Sequence, residues 1–324
     1  MIDVNNIFSV SADDFVGSCL RTYRFQYEQN GLYRSWCDRL RRTPTEVRYL
    51  EDIPALPVSF FKTDRVMTTE FEPEVFFRSS GTTGTTGSFH YVRELALYQS
   101  SYNKCFRLMY GDPADWCILG LLPSYLERGD SSLVNMVQGL MQQSGHELGG
   151  FFLQNEEELA NRLGRLEAAG QKTLLLGVTY ALLDFAERFP MDLRHTVVME
   201  TGGMKGRREE LTREEVHSRL KKSFGLSGVH SEYGMTELLS QAYSKGGGRF
   251  VCPPWMRVLV RDERDPLVVS TEGEGVLQVV DLANQYSCSF IATEDVGCVY
   301  GDGSFEVWGR LDQADLRGCS LLSV

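Results

Sequence analysis

The sequence predicts an α/β fold followed by a smaller β-rich lobe, and three observations carry that reading. From Val75 to Phe224, short apolar runs alternate with amphipathic stretches of helical length, the pattern of strands joined by crossover helices in a parallel sheet. After residue 225 the long amphipathic stretches stop, and short β-type runs separated by glycine-rich turns take over. Between the first two apolar segments lies Arg78-Ser-Ser-Gly-Thr-Thr-Gly-Thr-Thr-Gly87. It is a run of small hydroxyl residues and glycines, rich in backbone and side-chain donors.

Taken in order, residues 11 to 50 read as helical. Ser11 with Asp14 suggests a capping box, and Phe15, Leu20, Tyr23 and Tyr27 recur on one side. The prolines of Ile53-Pro54-Ala55-Leu56-Pro57 mark a connection. Val75–Arg78 reads as a strand that leaves through the glycine loop into a helix near Arg93–Tyr110. Strands then follow at Trp116–Leu122, Phe151–Leu153, Thr173–Gly177 and Thr196–Glu200. Helices alternate with them at Ser132–Gln143, Glu156–Ala169, up to Arg188, and Arg208–Phe224. In the later part, Met256–Val260, Val276–Val280, Gly297–Val299 and Phe305–Trp308 read as strands, with Gly301-Asp-Gly-Ser304 a hairpin turn. The expected organisation is residues 1–225 as a helical N-terminal segment plus α/β body, and residues 226–324 as a β-rich lobe that completes a ligand site.

The 324 residues suffice for one large core or two lobes. A net charge of −11 disfavours a nucleic acid or an anionic membrane as partner, while leaving room for a small positive pocket. No apolar run reaches the length of a membrane span, and the first residues lack the basic-then-apolar layout of a secretion signal. The eight cysteines are scattered with no C-x-x-C pair, which speaks against a zinc site or a disulfide framework. A reducing cytoplasm, with most thiols packed as small core residues, is the expectation.

Four further stretches follow the glycine loop. Thr201-Gly-Gly-Met-Lys-Gly206 comes directly after a strand, where open α/β sheets bind ligands, although a tight turn would use the same glycines. Ser231-Glu-Tyr-Gly-Met-Thr-Glu237 offers a ring to stack on a base, a hydroxyl for phosphate and a carboxylate for Mg²⁺. Thr293-Glu-Asp-Val-Gly297 places a carboxylate in an expected turn, able to accept from two ribose hydroxyls. Gly309-Arg-Leu-Asp312 supplies an arginine near the end.

In this order the motifs resemble the adenylate-forming superfamily, which includes acyl-CoA synthetases, luciferases and peptide-synthetase adenylation domains. The likeness runs from about Arg78 to Arg310. It implies the large-domain fold of those enzymes, with parallel and mixed sheets and flanking helices. It also implies attack of a carboxylate on ATP, giving an acyl-adenylate and pyrophosphate. Under that resemblance Ser79, Ser80, Gly81, Thr82, Thr83 and Gly84 would hold phosphates. Gly202 and Gly203 would flank the adenine, Tyr233 would stack on it, and Gly234 would also belong to the nucleotide site. Thr236 would contact phosphate, Glu237 would bind Mg²⁺, Asp295 would bind ribose, and Arg310 would assist there.

Two departures stand out. The superfamily loop runs on to a lysine, but here Gly84 leads to Thr85-Thr-Gly-Ser-Phe-His90. The sequence also stops soon after Arg310, leaving no room for the usual small C-terminal domain with its catalytic lysine. The short end, Leu122–Leu133 and Leu316-Arg-Gly-Cys-Ser-Leu321 together resemble the acyl-protein synthetases of bacterial luminescence (LuxE type). That likeness implies a fatty or aryl acid as substrate and Cys319 as acyl acceptor. It further implies a partner resembling an acyl-CoA reductase, or an acyl carrier protein. A terminal arginine beside the thiol, Arg317, would favour its thiolate. A nucleotide-binding subunit with little catalysis of its own, or an acyl- or aryl-CoA ligase, is also compatible with these residues. Of the histidines, both His90 and His230 read as structural rather than catalytic, and His90, which lies where the missing lysine would fall nearby, is the better functional candidate of the two.

Overall fold

The computed structural model describes residues 7–79, 87–123, 129–153, 155–202 and 211–311. Ser80, Gly81, Thr82, Thr83, Gly84, Gly203 and Cys319 lie outside the described residues. The chain opens with helices α1 (Phe15–Gln29) and α2 (Gly31–Arg39). In α1 the buried Phe15, Cys19, Tyr23 and Gln26 recur at helical spacing. The Ser11–Asp14 capping box does not form. Ser11 accepts the Asp14 N–H, but the Asp14 carboxylate turns to Arg21 and Ser18, and the helix starts at Phe15 with no side-chain cap.

A two-residue strand β1 (Leu56–Pro57) and a single helical turn α3 (Phe60–Thr63) precede β2 (Val75–Arg78). Here the structure corrects the sequence reading. The glycine loop does not lead from a strand into a helix but into a second strand, β3 (Phe89–Val92), which pairs antiparallel with β2. The helix α4 (Leu95–Tyr110) starts only after that hairpin.

Beyond it the β/α alternation appears as expected. It runs β4 (Cys117–Leu121), α5 (Ser132–Ser144), β5 (Gly150–Phe152), α6 (Glu156–Ala168), β6 (Thr173–Val178), α7 (Thr179–Arg188), β7 (Thr196–Thr201) and α8 (Arg213–Phe224). β8 (His230–Tyr233) and β9 (Ala242–Ser244) complete the sheet, in the order β5-β4-β6-β7-β8-β9. All its pairings are parallel except the last. β4 and β6 are buried at every residue, as a parallel strand covered on both faces must be. Ser131 caps α5 by accepting the Val134 N–H, and a Thr212–Glu215 capping box starts α8. α8 ends at Gly225, whose φ of +64° and close approach to the Asp192 carboxylate both exclude a side chain.

The second sheet contains β10 (Met256–Arg261), β11 (Val269–Ser270), β12 (Gly273–Asp281), β13 (Phe290–Val299) and β14 (Phe305–Arg310). β1 joins it by parallel pairing with β13, and the other pairings are antiparallel. The N-terminal helices pack on this sheet. Buried Gln26 donates to the Gln285 carbonyl at 2.9 Å and accepts the Ser289 N–H at 3.0 Å. Thr293–Gly297, expected as a turn, is instead part of β13, because β12 and β14 supply ladder partners on its two sides. No described helix is long and apolar enough to cross a membrane.

Candidate active site

The segment from Tyr233 to Glu237 leaves the carboxyl end of β8, inside the parallel sheet, and faces the second sheet. At its first residue, the Tyr233 hydroxyl donates to Asp295 Oδ2 at 2.8 Å. The Tyr233 ring is packed edge-on against Phe305 and tilted against Phe250. Burial and the Asp295 charge push the phenol well above its ordinary range, so it stays a proton donor. Asp295 lies opposite Arg310 across the β13–β14 ladder, with Arg310 Nε 3.9 Å from Asp295 Oδ1. Arg310 also donates to Glu294 at 2.6 Å. Tyr233, Asp295 and Arg310, drawn from three stretches of sequence, therefore form one cluster.

Gly202 has a φ of +69°, which favours glycine. The Thr179 hydroxyl lies 2.8 Å from its carbonyl and 3.0 Å from the Glu200 carboxylate, and donates to one of them. Gly202 follows Thr201, which pairs with Glu232 in the β7–β8 register, so it stands next to Tyr233 at the sheet edge. A Cβ at Gly234 would meet Glu232 Oε1 at 2.4 Å, so a side chain there would displace the Glu232 carboxylate.

At the other end of the segment, Thr236 and Glu237 meet the base of the glycine loop. The hairpin closes at a neck where Ser79 N–H donates to the Ser88 carbonyl at 3.0 Å and Ser88 N–H donates to Ser79 Oγ at 2.8 Å. Gly87 sits in that neck, and a Cβ on it would come within 2.5 Å of the Ser79 carbonyl oxygen. Glu237 is buried, which raises its carboxyl, while a hydrogen bond from the Ser88 side chain partly offsets the rise. The loop neck, Thr236 and Glu237 thus form a second cluster, joined to the first by five residues of chain.

His90 packs as a structural residue, the role the sequence favoured for it. It is 1% exposed, with Nδ1 2.8 Å from the Thr236 carbonyl and Nε2 2.9 Å from Asn284 Oδ1. Both ring nitrogens are engaged, so it does not stand in for the missing lysine. Burial lowers its pKa to about 4, against the effect of those two contacts. His230 is structural, as expected: its Nδ1 is 3.1 Å from the Tyr110 hydroxyl, and burial also takes it to about 4.

Several site residues were missed. Ser88 and Asn284 had no sequence signal, because their roles depend on contacts far along the chain. Two buried glutamates lie on neighbouring strands. Burial raises Glu232 to about 7, against a Thr201 hydrogen bond and with added repulsion from Glu200. Burial also acts to raise Glu200, but His217, Ser231 and the Arg213 charge outweigh it and hold Glu200 below its ordinary value. Only the place of Glu232, directly before Tyr233, could have drawn attention to it.

The described cysteines form no disulfide, and Cys19, Cys37, Cys105, Cys117 and Cys288 are buried. Burial pushes Cys19 and Cys37 up to about 12, which keeps these thiols protonated. Among the described residues no three His, Cys, Asp or Glu side chains group to hold a metal. Glu237 alone suits the way Mg²⁺ is held beside phosphates, by one carboxylate with the rest of the shell from phosphate and water.

No family model matches the chain. Over 92% of its length it is 25% identical to the long-chain-fatty-acid–luciferin-component ligase of Vibrio harveyi, of which it covers 84%. Among solved structures, a 2-hydroxyisobutyryl-CoA ligase in complex with 2-HIB-AMP and CoA superposes with a TM-score of 0.67 at 14% identity, over 95% of this chain and 70% of that one. ATP-bound MatB from Rhodopseudomonas palustris superposes with a TM-score of 0.55 at 17% identity, over 74% of this chain. The chain spans about half the length of that second structure (49%). The chain therefore has the fold of the adenylate-forming ligases, and over nearly its whole length it is similar in sequence to the long-chain-fatty-acid–luciferin-component ligase of Vibrio harveyi.

Proposed function

We propose that the chain activates a carboxylic acid with ATP and passes the acyl group to a thiol. In the first step a carboxylate oxygen attacks the α-phosphorus of ATP. A P–O bond forms to the acid, the bond to the β-phosphate oxygen breaks, and pyrophosphate leaves. In the second step a thiolate attacks the acyl carbonyl and AMP leaves. The observation that carries this reading is the joining of the two clusters by the Tyr233–Glu237 segment. An aromatic ring and a carboxylate lie within one short strand exit of the neck of the glycine loop, which supports a site for base, ribose and phosphate.

Within this reading Tyr233, Gly234, Gly202 and Gly203 hold the adenine, and Asp295 with Arg310 the ribose. Ser79, Ser80, Gly81, Thr82, Thr83, Gly84 and Thr236 hold the phosphates. Glu237 holds Mg²⁺, which when bound neutralises phosphate charge. The acid is fatty or aryl, in line with the fatty-acid name of the Vibrio harveyi relative. Cys319 is the acceptor, and an acyl-CoA reductase-like protein or an acyl carrier protein receives the group in the cytoplasm. We further propose the division into 1–225 and 226–324, with β8 and β9 of the later part completing the parallel sheet of the earlier one.

Carboxylate-dependent exchange of labelled pyrophosphate into ATP tests the first step. Retention of labelled acyl group by the protein tests the second, with Cys319→Ser expected to remove the label and keep the exchange. Exchange without any label on wild type, but with thioester formed on added coenzyme A, would instead make the chain an acyl-CoA ligase. The lysine missing after Gly84 favours one other reading, a nucleotide-binding subunit, whose mark is ATP binding by calorimetry with no exchange for any acid.

A further inference from the structure

We infer that His90 is a positioning residue, which together with Asn284 clasps the main chain of Thr236 and Glu237 and aims those two residues at the nucleotide. The inference rests on the nucleotide reading above, and the His90 role is not part of it. His90 stands on β3, the strand that returns from the glycine loop. Its Nδ1 is 2.8 Å from the Thr236 carbonyl. Its Nε2 is 2.9 Å from Asn284 Oδ1, and Asn284 Nδ2 donates to the Glu237 carbonyl at 2.7 Å. The consecutive carbonyls of Thr236 and Glu237 are thus each held by a donor of its own, Nδ1–H of His90 for the first and Nδ2–H of Asn284 for the second. Their own side chains are left to face elsewhere, and Glu237 goes to Ser88 at the loop neck.

Both members of this clasp are buried: His90 and Asn284 are each 1% exposed, and the ring is boxed edge-on by Phe61. A buried polar group that loses its partner is costly, so the clasp resists displacement of either carbonyl. It also links loop and segment mechanically, since β3 cannot move without carrying Thr236 along.

The donor inventory fixes how the ring is protonated. A carbonyl only accepts, so Nδ1 must carry a hydrogen toward Thr236. With burial holding the ring neutral, His90 is therefore the Nδ1–H tautomer, and its Nε2, which carries no hydrogen, lies beside Asn284 Oδ1 without donating to it. A merely space-filling histidine has no reason to choose that form.

Nitrogen-15 NMR of histidine-labelled wild type at pH 7 reads the tautomer directly. The clasp requires a protonated Nδ1, and a His90 ring protonated on Nε2 alone would overturn it. Exchange kinetics give the second test. His90→Phe keeps the ring volume and removes the hydrogen bond to the Thr236 carbonyl. It is expected to raise the KM for ATP about tenfold, with the KM for the acid unchanged. His90→Asn, whose amide can reach the Thr236 carbonyl, is expected to recover most of that loss. An unchanged ATP KM in a folded His90→Phe protein overturns the inference, as does an equal loss in ATP and acid KM. If His90→Phe does not fold, the tautomer and the Asn variant decide. Wild type that neither binds ATP nor catalyses exchange overturns the nucleotide reading instead, and that outcome is visible before any variant is made.

Discussion

Replacing Glu232 by glutamine removes a buried acid whose protonation couples folding to pH, and the size of the effect follows from the site. Burial, with the Glu200 charge beside it, lifts Glu232 from 4.5 to about 7. At about 1.36 kcal/mol per pH unit, that distance is worth about 3 kcal/mol. The sign follows from the raised value. Between pH 4.5 and 7 the folded protein keeps a proton that the unfolded chain has lost, so stability is present in full below 4.5 and is lost as pH rises through 7. Glutamine is neutral throughout and still offers an oxygen to Thr201. The stability of Glu232→Gln relative to wild type should therefore grow by about 3 kcal/mol from pH 4.5 to pH 8. Urea unfolding of both proteins across that range measures it, and the other titrating groups cancel in the difference. A difference that stays flat would mean that Glu232 is solvated or ionised in the fold, and would refute the reasoning.

Other expectations concern the same neighbourhood. His90 and His230 are both lowered from 6.5 to about 4, so the unfolded chain binds more protons in that window. Each should withdraw about 3 kcal/mol of stability as pH drops from 6.5 to 4, opposite in sign to Glu232, as read from the difference in urea unfolding between wild type and His90→Gln or His230→Gln. Tyr233→Phe keeps the ring against Phe305 but leaves Asp295 without the phenol hydrogen. It should weaken ATP binding by about 1–2 kcal/mol in calorimetry while leaving the thermal midpoint nearly unchanged. Gly87→Ala puts a Cβ against the Ser79 carbonyl at 2.5 Å and should cost about 1–3 kcal/mol of stability, measured by thermal unfolding, together with ATP affinity.

The parallel sheet was legible because its strands are apolar on both faces and bounded by amphipathic stretches. β4, β6 and β7 fall within a residue or so of their expected limits. β3 was not, because Phe89–Val92 is short, carries a histidine and a tyrosine, and sits in the shadow of the glycine loop. Asp295 was taken for a turn residue because Glu-Asp-Val-Gly looks like one, but the ladders on both sides of β13 override that local preference. Tyr233, Asp295 and Arg310 were found through the order of their motifs. The His90–Asn284 contact joins residues 194 positions apart. No local pattern announces such a pair, and nothing but the folded chain brings it together.

The neck of the glycine loop has a consequence for engineering. Ser79 and Ser88 are tied to each other at both backbone and side chain, so the facing ends of β2 and β3 are fixed anchor points. The closure cost of a flexible loop rises by only about 0.6 kcal/mol when its length doubles. The neck should therefore accept grafted loops, including one bearing the lysine that Thr85 and Thr86 replace, without disturbing the sheets on either side.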